Sequence, residues 1–374
     1  MTGGRPDRGA LRVALICPYS LSVEGGVQLQ VLGLARALRG LGVDARVLAP
    51  SDGPPPEAGI TSLGPTRGFP SNGSIAPISA SKAVAGRTLE ALRAFRPDVL
   101  HLHEPLSPGA NHAALIATDL PAVGTFHAAF PGRNGWYDAF RLPLRKMTER
   151  LAVRTAVSAE AARNVQAFGA SCEILPNGVD VDAFATAEPW ASPCPTIVFV
   201  GRHERRKGVG VLLDAFEMLE RDADLWVIGR GPETDALAAR GVPRVAWLGR
   251  VSEADKARRL RGATIGCFPS IEGESFGVVL LEAMAAGTAV VASDLTGYSH
   301  VARADREAVL VAPGDPVSLR DALRRLLDDD PFRAALVERG RARAAEFSMT
   351  RLAEAFLERY EKIDRRRTQA AAHL

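Results

Sequence analysis

Two carboxylates eight positions apart, Glu274 and Glu282, stand in the stretch "EGESFGVVLLEAMAAG" (272–287), where small residues lead into an otherwise apolar run. A helix opening near Phe276 and ending at Gly287, a good C-terminal cap, would aim its unsatisfied N–H groups and positive dipole end at an anion. The amides of Ser275, Phe276, Gly277 and Val278 suit a diphosphate, and Glu274 in the loop before them reaches the group beyond it, such as sugar hydroxyls. Eight residues of helix rise about 12 Å. That approaches the span from hexose to ribose in a sugar nucleotide, so one glutamate can accept from hexose hydroxyls and the other from ribose hydroxyls. The competing chemistry, a paired general acid and base, needs carboxylates flanking one bond at about 5 to 9.5 Å, and two residues on one nucleotide-binding wall flank nothing. A helix-face salt bridge is the alternative for Glu282, disfavoured by its apolar neighbours Leu280, Leu281, Ala283 and Met284.

Positive charge to match stands in "VGRHERRKG" (200–208). Arg202 offers a bidentate fork and Lys207 a point charge, a pair that suits a diphosphate, while Arg205 and Arg206 read as a solvated basic loop. In "EGGVQ" (24–28), Gly25 and Gly26 open a long apolar-periodic helix whose N-terminus suits a phosphate; a flexible turn is the plainer alternative. The pattern is not G-x-G-x-x-G, which disfavours a dinucleotide-dependent oxidoreductase. His127 ends a strand at the same side, with a satisfied core histidine as its alternative reading. His101 and His103 of "HLHE" share one face of a strand, but a third metal ligand is not evident. Turn chemistry explains "DVD" (180–182) after Pro-Asn-Gly. No metal site is expected.

The elements that must position these residues repeat as strand then helix, the signature of parallel sheets covered on both faces. Expected strands are 12–18, 45–50, 98–103 and 122–127 in the first half, and 196–201, 224–229, 244–249, 264–269, 289–294 and 308–313 in the second. The Pro- and Ala-rich "TAEPWASPCP" (186–195) reads as an interdomain linker. Two doubly wound Rossmann-like domains follow: an acceptor-binding one over 1–185 and a nucleotide-sugar-binding one over 186–350. Residues 351–374 form a C-terminal helix returning to the first domain, with a polar tail. The site belongs at the carboxyl ends of the strands, in a cleft between the domains.

With 374 residues at 47% hydrophobic content, the chain holds enough apolar material for two cores. Its 46 basic and 43 acidic residues nearly balance, which excludes bulk nucleic-acid binding. Cys17, Cys172, Cys194 and Cys267 lack Cys-x-x-Cys spacing and read as reduced, cytoplasmic thiols. The opening "MTGGRPDRGA" has no apolar core and reads as a loose tail rather than a signal peptide. The most apolar stretch, 276–293, is interrupted by Glu282 and Gly287, so no membrane span is expected.

With these residues on the page, the chain resembles the retaining glycosyltransferases of family four, which have the GT-B fold. The most specific likeness is E-x7-E with an internal Ser-Phe-Gly, here Glu274, Ser275, Phe276, Gly277 and Glu282, followed by "AMAAGTAVVAS" (283–293). The resemblance implies that Glu274 contacts the transferred sugar and Glu282 the ribose. It makes Arg202 and Lys207 the diphosphate clamp, on a loop one residue shorter than the commonest version. "LPNGVD" (175–180) matches the family's interdomain signature.

Within the family, "CPYSLSVEGGVQ" (17–28), "SNGSIA" (71–76), "HLHEP" (101–105), "GTFH" (124–127) and "GESFGVVLLEAMAAGTAVVASDL" (273–295) resemble actinobacterial phosphatidylinositol mannosyltransferases that use GDP-mannose. That likeness implies Gly26 near the donor phosphates, His127 near the reacting sugar, and Gly25, Gln28 and Asn72 with His127 in the acceptor pocket. One departure stands out: the subgroup follows Asn-Gly-Ser with arginines and a strongly basic helix, whereas Pro77 and Ser79 follow it here.

The expected activity is therefore hexosyl transfer from a sugar nucleotide to an inositol-containing lipid, by a monomer that needs no divalent metal. A soluble acceptor such as an inositol phosphate, a sugar-nucleotide epimerase and a non-catalytic nucleotide-sugar binder are the alternatives. For a lipid acceptor, 79–96 forms an amphipathic helix with Lys82, Arg93 and Arg96 on one face and Leu89 and Leu92 elsewhere. The stretch 132–146 interleaves Trp136, Tyr137 and Phe140 with Arg133, Arg141, Arg145 and Lys146, chemistry suited to an anionic membrane surface.

Overall fold

Short runs of β-branched and aliphatic residues become parallel strands, buried on both faces at the centre of each sheet and more open toward the edges. In the first part of the chain these are β1 (Arg12–Ile16), β2 (Asp44–Ala49), β3 (Ile60–Ser62), β6 (Val99–His103), β7 (Ala122–Phe126), β8 (Leu151–Ala156) and β9 (Glu173–Ile174). They form one sheet in the order β3-β2-β1-β6-β7-β8-β9, while β4 (Arg67–Ser71) and β5 (Ser74–Ile78) pair as an antiparallel ribbon. The second sheet contains β10 (Thr196–Val200), β11 (Asp224–Ile228), β12 (Val245–Gly249), β13 (Ile265–Phe268), β14 (Ala289–Ser293) and β15 (Val309–Val311), in the order β12-β11-β10-β13-β14-β15. The ten expected strands all form. The sequence reading passed over β8, whose half-exposed pattern lacks a continuous apolar run, and the short β3, β4, β5 and β9.

The computed structural model describes residues 9–23, 25–71, 74–128, 140–166 and 168–372. The chain divides into two compact units, Met1–Gly178 with Met349–Leu374, and Val179–Ser348. The break thus falls at Gly178, not in the stretch 186–195, and the chain leaves the second unit at Ser348. The Pro-rich stretch is packed rather than linking. Arg259 lies 3.7 Å and Arg258 4.9 Å over the Trp190 ring, and the Trp190 N–H donates to the Arg258 carbonyl at 2.9 Å. The boundary itself is pinned from the first unit's side. Gln30, buried in the helix Gly26–Gly40, donates to the Gly178 carbonyl at 2.7 Å and accepts from its N–H at 3.0 Å.

Each sheet carries its own core. In the first unit Val13, Leu15, Leu34, Leu38 and Val47 pack with Met349, Phe356 and Tyr360 from the helix Met349–Ala372. In the second, Ile197, Leu212, Leu225, Ile265 and Val291 pack with Leu319, Leu323 and Leu336. Both sheets also share one topological feature. β1 lies between β2 and β6, and β10 lies between β11 and β13, so strand order reverses there and a crevice opens at the strands' carboxyl ends.

Candidate active site

In the unit Val179–Ser348 the expected donor residues gather at the β10/β13 reversal. Glu274, at the end of the loop after β13, accepts from the Lys207 ammonium at 2.5 Å and from the Ser270 hydroxyl at 2.7 Å. Burial alone would raise its carboxyl, but Lys207 and Ser270, with Arg206 at 3.9 Å, hold it below the ordinary value. Arg202 meets Glu204 at 3.0 Å, and the other Glu204 oxygen takes Arg206 at 3.0 Å. Arg206 also donates to the Gly273 carbonyl at 3.3 Å. It is therefore no solvated loop residue, as its sequence context implied, but the link between the clamp loop and the Glu274 loop. Three cations, Arg202, Arg206 and Lys207, against two carboxylates, Glu204 and Glu274, leave a formal excess of one positive charge. Arg202, its side chain 49% exposed, is the member most open to an anion.

The helix after this loop runs Val278–Ala286, two residues later than expected, because Gly277 turns at φ +95°. A Cβ there would lie 2.7 Å from the Tyr298 ring, so glycine is required sterically as well as conformationally. No side chain caps the helix, and of its first-turn N–H groups that of Leu280 turns back to the Gly277 carbonyl at 3.0 Å. Glu274 thus sits in the loop and only Glu282 in the helix, so the uninterrupted eight-residue rise does not form. Glu282 is buried and accepts from Lys256 at 2.9 Å, and Lys256 also meets Glu253 at 2.9 Å. The apolar neighbours of Glu282 did not preclude a salt bridge, since its partner comes from another helix, Glu253–Gly262. Burial raises the Glu282 carboxyl and Lys256 opposes the rise.

In the unit Met1–Gly178 with Met349–Leu374, the helix Gly26–Gly40 starts at the carboxyl side of β1, with Gly25 as an N-cap that no side chain assists. The Gln28 carboxamide folds back over Gly25, where a Cβ would meet its Oε1 at 2.4 Å, and donates to the carbonyls of Ser20 at 3.2 Å and Val23 at 3.0 Å. Its N–H groups therefore brace the loop after β1. Asn72, also expected in this pocket, lies outside the described residues, as do Arg133, Trp136 and Tyr137.

His127 follows β7, buried, with its Nε2 2.9 Å from His103 Nδ1. Burial pushes its pKa down to about 4, against a hydrogen bond with the Asn177 side chain. Of the two histidines on one face of β6, His101 has both ring nitrogens engaged and His103 only its Nδ1. His101 bonds Tyr360 through Nδ1 and Thr125 through Nε2, each at 2.6 Å. Among the described residues no group of three His, Cys, Asp or Glu side chains is arranged to hold a metal ion. Sequence reasoning missed Glu204, Ser270, Lys256, Glu104 and Tyr360, and gave Arg206 and His103 other roles. Only the pairing of Arg206 with an acidic loop had a local signal.

Two doubly wound α/β units with these residues at their strand reversals define the GT-B class. A glycosyltransferase from Rickettsia africae ESF-5 shares this fold, with a TM-score of 0.73 at 19% identity over 95% of this chain and 99% of that one. Residues 24–183 match the profile of Glycosyltransferase Family 4, and residues 194–329 match that of Glycosyl transferases group 1. The phosphatidyl-myo-inositol mannosyltransferase of Mycobacterium leprae is 40% identical over 366 residues, covering 94% of this chain and 97% of that protein. The D-inositol 3-phosphate glycosyltransferase of Xylanimonas cellulosilytica is 32% identical, covering 97% and 99%. The chain belongs to glycosyltransferase family 4 and is a hexosyltransferase.

Proposed function

We propose that this chain transfers mannose from GDP-mannose, with retention of anomeric configuration, to the inositol of a phosphatidylinositol-like lipid. The near full-length likeness to the Mycobacterium leprae mannosyltransferase carries the reading. On it, the diphosphate rests against Arg202, Lys207 and the amides of Ser275, Phe276, Gly277 and Val278, which lead into the helix Val278–Ala286, with Gly26 near the phosphates. Glu274 takes sugar hydroxyls and Glu282 the ribose. Gly25, Gln28 and Asn72 belong to the acceptor, and His127 orients the reacting sugar. As the glycosidic bond breaks, charge grows on the leaving diphosphate, and cations already fixed by Glu204 and Glu274 stabilise it without reorganising. The acceptor hydroxyl attacks on the face the diphosphate leaves and passes its proton to the departing phosphate oxygen. Basic side chains and amides supply the positive charge, so no divalent metal is required.

The enzyme acts as a cytoplasmic monomer at an anionic inner membrane face. No helix among the described residues is long and apolar enough to cross a membrane. The helix Lys82–Phe95 buries Val84, Thr88, Leu92 and Phe95 and leaves Lys82 and Arg93 exposed, with Arg96 exposed just beyond. Exposed Phe140 and Leu142 stand beside exposed Arg141, Arg145 and Lys146. At roughly 1 kcal/mol per basic residue near an anionic surface, attachment is weak and salt-sensitive.

The test supplies GDP-mannose in EDTA with either phosphatidylinositol in anionic vesicles or soluble inositol 3-phosphate, and identifies products by mass spectrometry. One hexose added to the lipid, at low salt and undiminished by EDTA, is the expected result. Addition to inositol phosphate alone would favour the second reading, which the Xylanimonas relative and the Pro77 and Ser79 departure support. Conversion of GDP-mannose without an acceptor would overturn transfer.

A further inference from the structure

We propose that Glu104 and His103, consecutive residues at the carboxyl end of β6, are positioning residues for His127, Glu104 acting through its backbone and His103 through its ring. The Glu104 Oε1 accepts from the main-chain N–H of His127 at 2.6 Å and of Ala128 at 2.5 Å. A buried carboxylate is costly unless hydrogen-bonded, and Glu104, 5% exposed, directs this oxygen onto the turn that carries His127. Its own backbone is strained to do so, at φ +49°. A non-glycine residue in this region is disfavoured and persists only where neighbours over-determine it. Asn111 Nδ2 supplies that constraint by donating to the carbonyls of His103 at 2.8 Å and Glu104 at 2.9 Å. The Glu104 N–H donates to the Thr125 carbonyl at 2.8 Å, which ties β6 to β7.

The ring is held separately. His103 Nδ1 lies 2.9 Å from His127 Nε2, and the His103 ring is stacked between His101 at 4.2 Å and His127 at 5.2 Å. His101 cannot swing away, because Tyr360 and Thr125 hold both its nitrogens. His103 Nε2 is buried without a hydrogen-bond partner, so the ring's orientation serves its bond to His127 and not its own full satisfaction. Backbone and ring of one residue are thus fixed by two adjacent side chains from the neighbouring strand.

This inference rests on His127 contacting the reacting sugar, and a double-mutant cycle separates the two claims. Transfer from GDP-mannose is measured for Glu104→Ala, Glu104→Gln, His103→Phe and His127→Ala, and for each of the first three combined with His127→Ala. Glu104→Ala should lower kcat by about 10- to 100-fold, as misplacement of an active-site group does, with the KM for GDP-mannose within about three-fold. Glu104→Gln, whose amide oxygen still accepts both N–H groups, should recover most of that loss. His103→Phe, which keeps the stacked ring, should lower kcat by about ten-fold. None of the three should cost anything further once His127 is alanine. Multiplied losses in the double variants, or Glu104→Gln as damaging as Glu104→Ala, would overturn the inference. If His127→Ala alone leaves the rate unchanged, the reading of His127 fails and the inference with it. Should Glu104→Ala not fold, the other two variants decide by the same criterion.

Discussion

In the unit Val179–Ser348 each site carboxylate meets a cation: Glu204 with Arg202 at 3.0 Å, Glu274 with Lys207 at 2.5 Å, Glu282 with Lys256 at 2.9 Å. Around His127 in the other unit the groups are buried and largely uncharged, and hydrogen bonds between rings, hydroxyls and main chain hold them. The difference suits the roles proposed for the two clusters. Charge suits recognition of a diphosphate, and a half-exposed arginine can adapt to it. A buried neutral network cannot tolerate a missing partner, because each orphaned polar group costs its full desolvation penalty, and it is correspondingly rigid. The charged cluster should therefore fail mainly in function when altered, and the neutral one in stability as well as function.

The largest effect expected is on Glu274. Glu274→Gln should cut turnover by about 100-fold or more while GDP affinity stays within a few-fold, if the carboxylate acts on the sugar as proposed and not on the nucleotide. Steady-state kinetics beside a GDP titration measure both, and parallel loss of GDP binding would remove this role. The histidine network should respond differently. Thr155 gives its one proton to the Gly124 carbonyl, so Thr125 must donate to Thr155, His101 Nε2–H to Thr125 and Tyr360 to His101 Nδ1, a directed chain with one role for each atom. Tyr360→Phe orphans the first acceptor and should cost about 1–3 kcal/mol in denaturant unfolding. An unchanged midpoint would show the chain to be slack.

Smaller for each group is the expected response to acid. Burial lowers His101 from 6.5 to about 3 and His127 from 6.5 to about 4, and lowers His103 well below 6.5. Below 6.5 the unfolded chain binds protons that the folded one refuses, so this stability is complete above pH 6.5 and declines as pH falls toward those values. The Glu274 carboxyl lies below its ordinary 4.5, so its contribution persists through that window and is lost only under more acid conditions. Between pH 7 and 5.5, hydrogen exchange should accelerate more in peptides spanning β6 and β7 than in those spanning β13, by about 1 kcal/mol per ring at most. Lowered His203 gives the second unit a single such ring of its own. Equal acceleration in both would erase the contrast.

How legible each cluster was in the sequence follows the same division. Arg202, Lys207 and Glu274 stand in two short loops, each just after a recognisable strand, so spacing and charge were enough to group them. The alternation of strands and helices gave both sheets because buried parallel strands are continuous apolar runs. Tyr360, His101, Thr125 and Thr155 meet only through tertiary packing, with 259 positions between the first two, and no local pattern marks such a contact. Lys256 was equally silent, since a lysine near the start of an exposed-looking helix gives no hint of a buried partner 26 residues on. The domain break was misplaced for a related reason: composition identified a Pro-rich loop, but packing of Trp190 under two arginines decides where it belongs.

A calorimetric titration of GDP into the wild type, Arg202→Ala and His127→Ala tests the division of labour directly. Arg202→Ala should weaken GDP by about ten-fold or more, the worth of a charge-assisted contact, and His127→Ala should bind GDP as the wild type does. Equal weakening by both, or none by Arg202→Ala, would contradict a donor site built from the charged cluster and a transfer role reserved for His127.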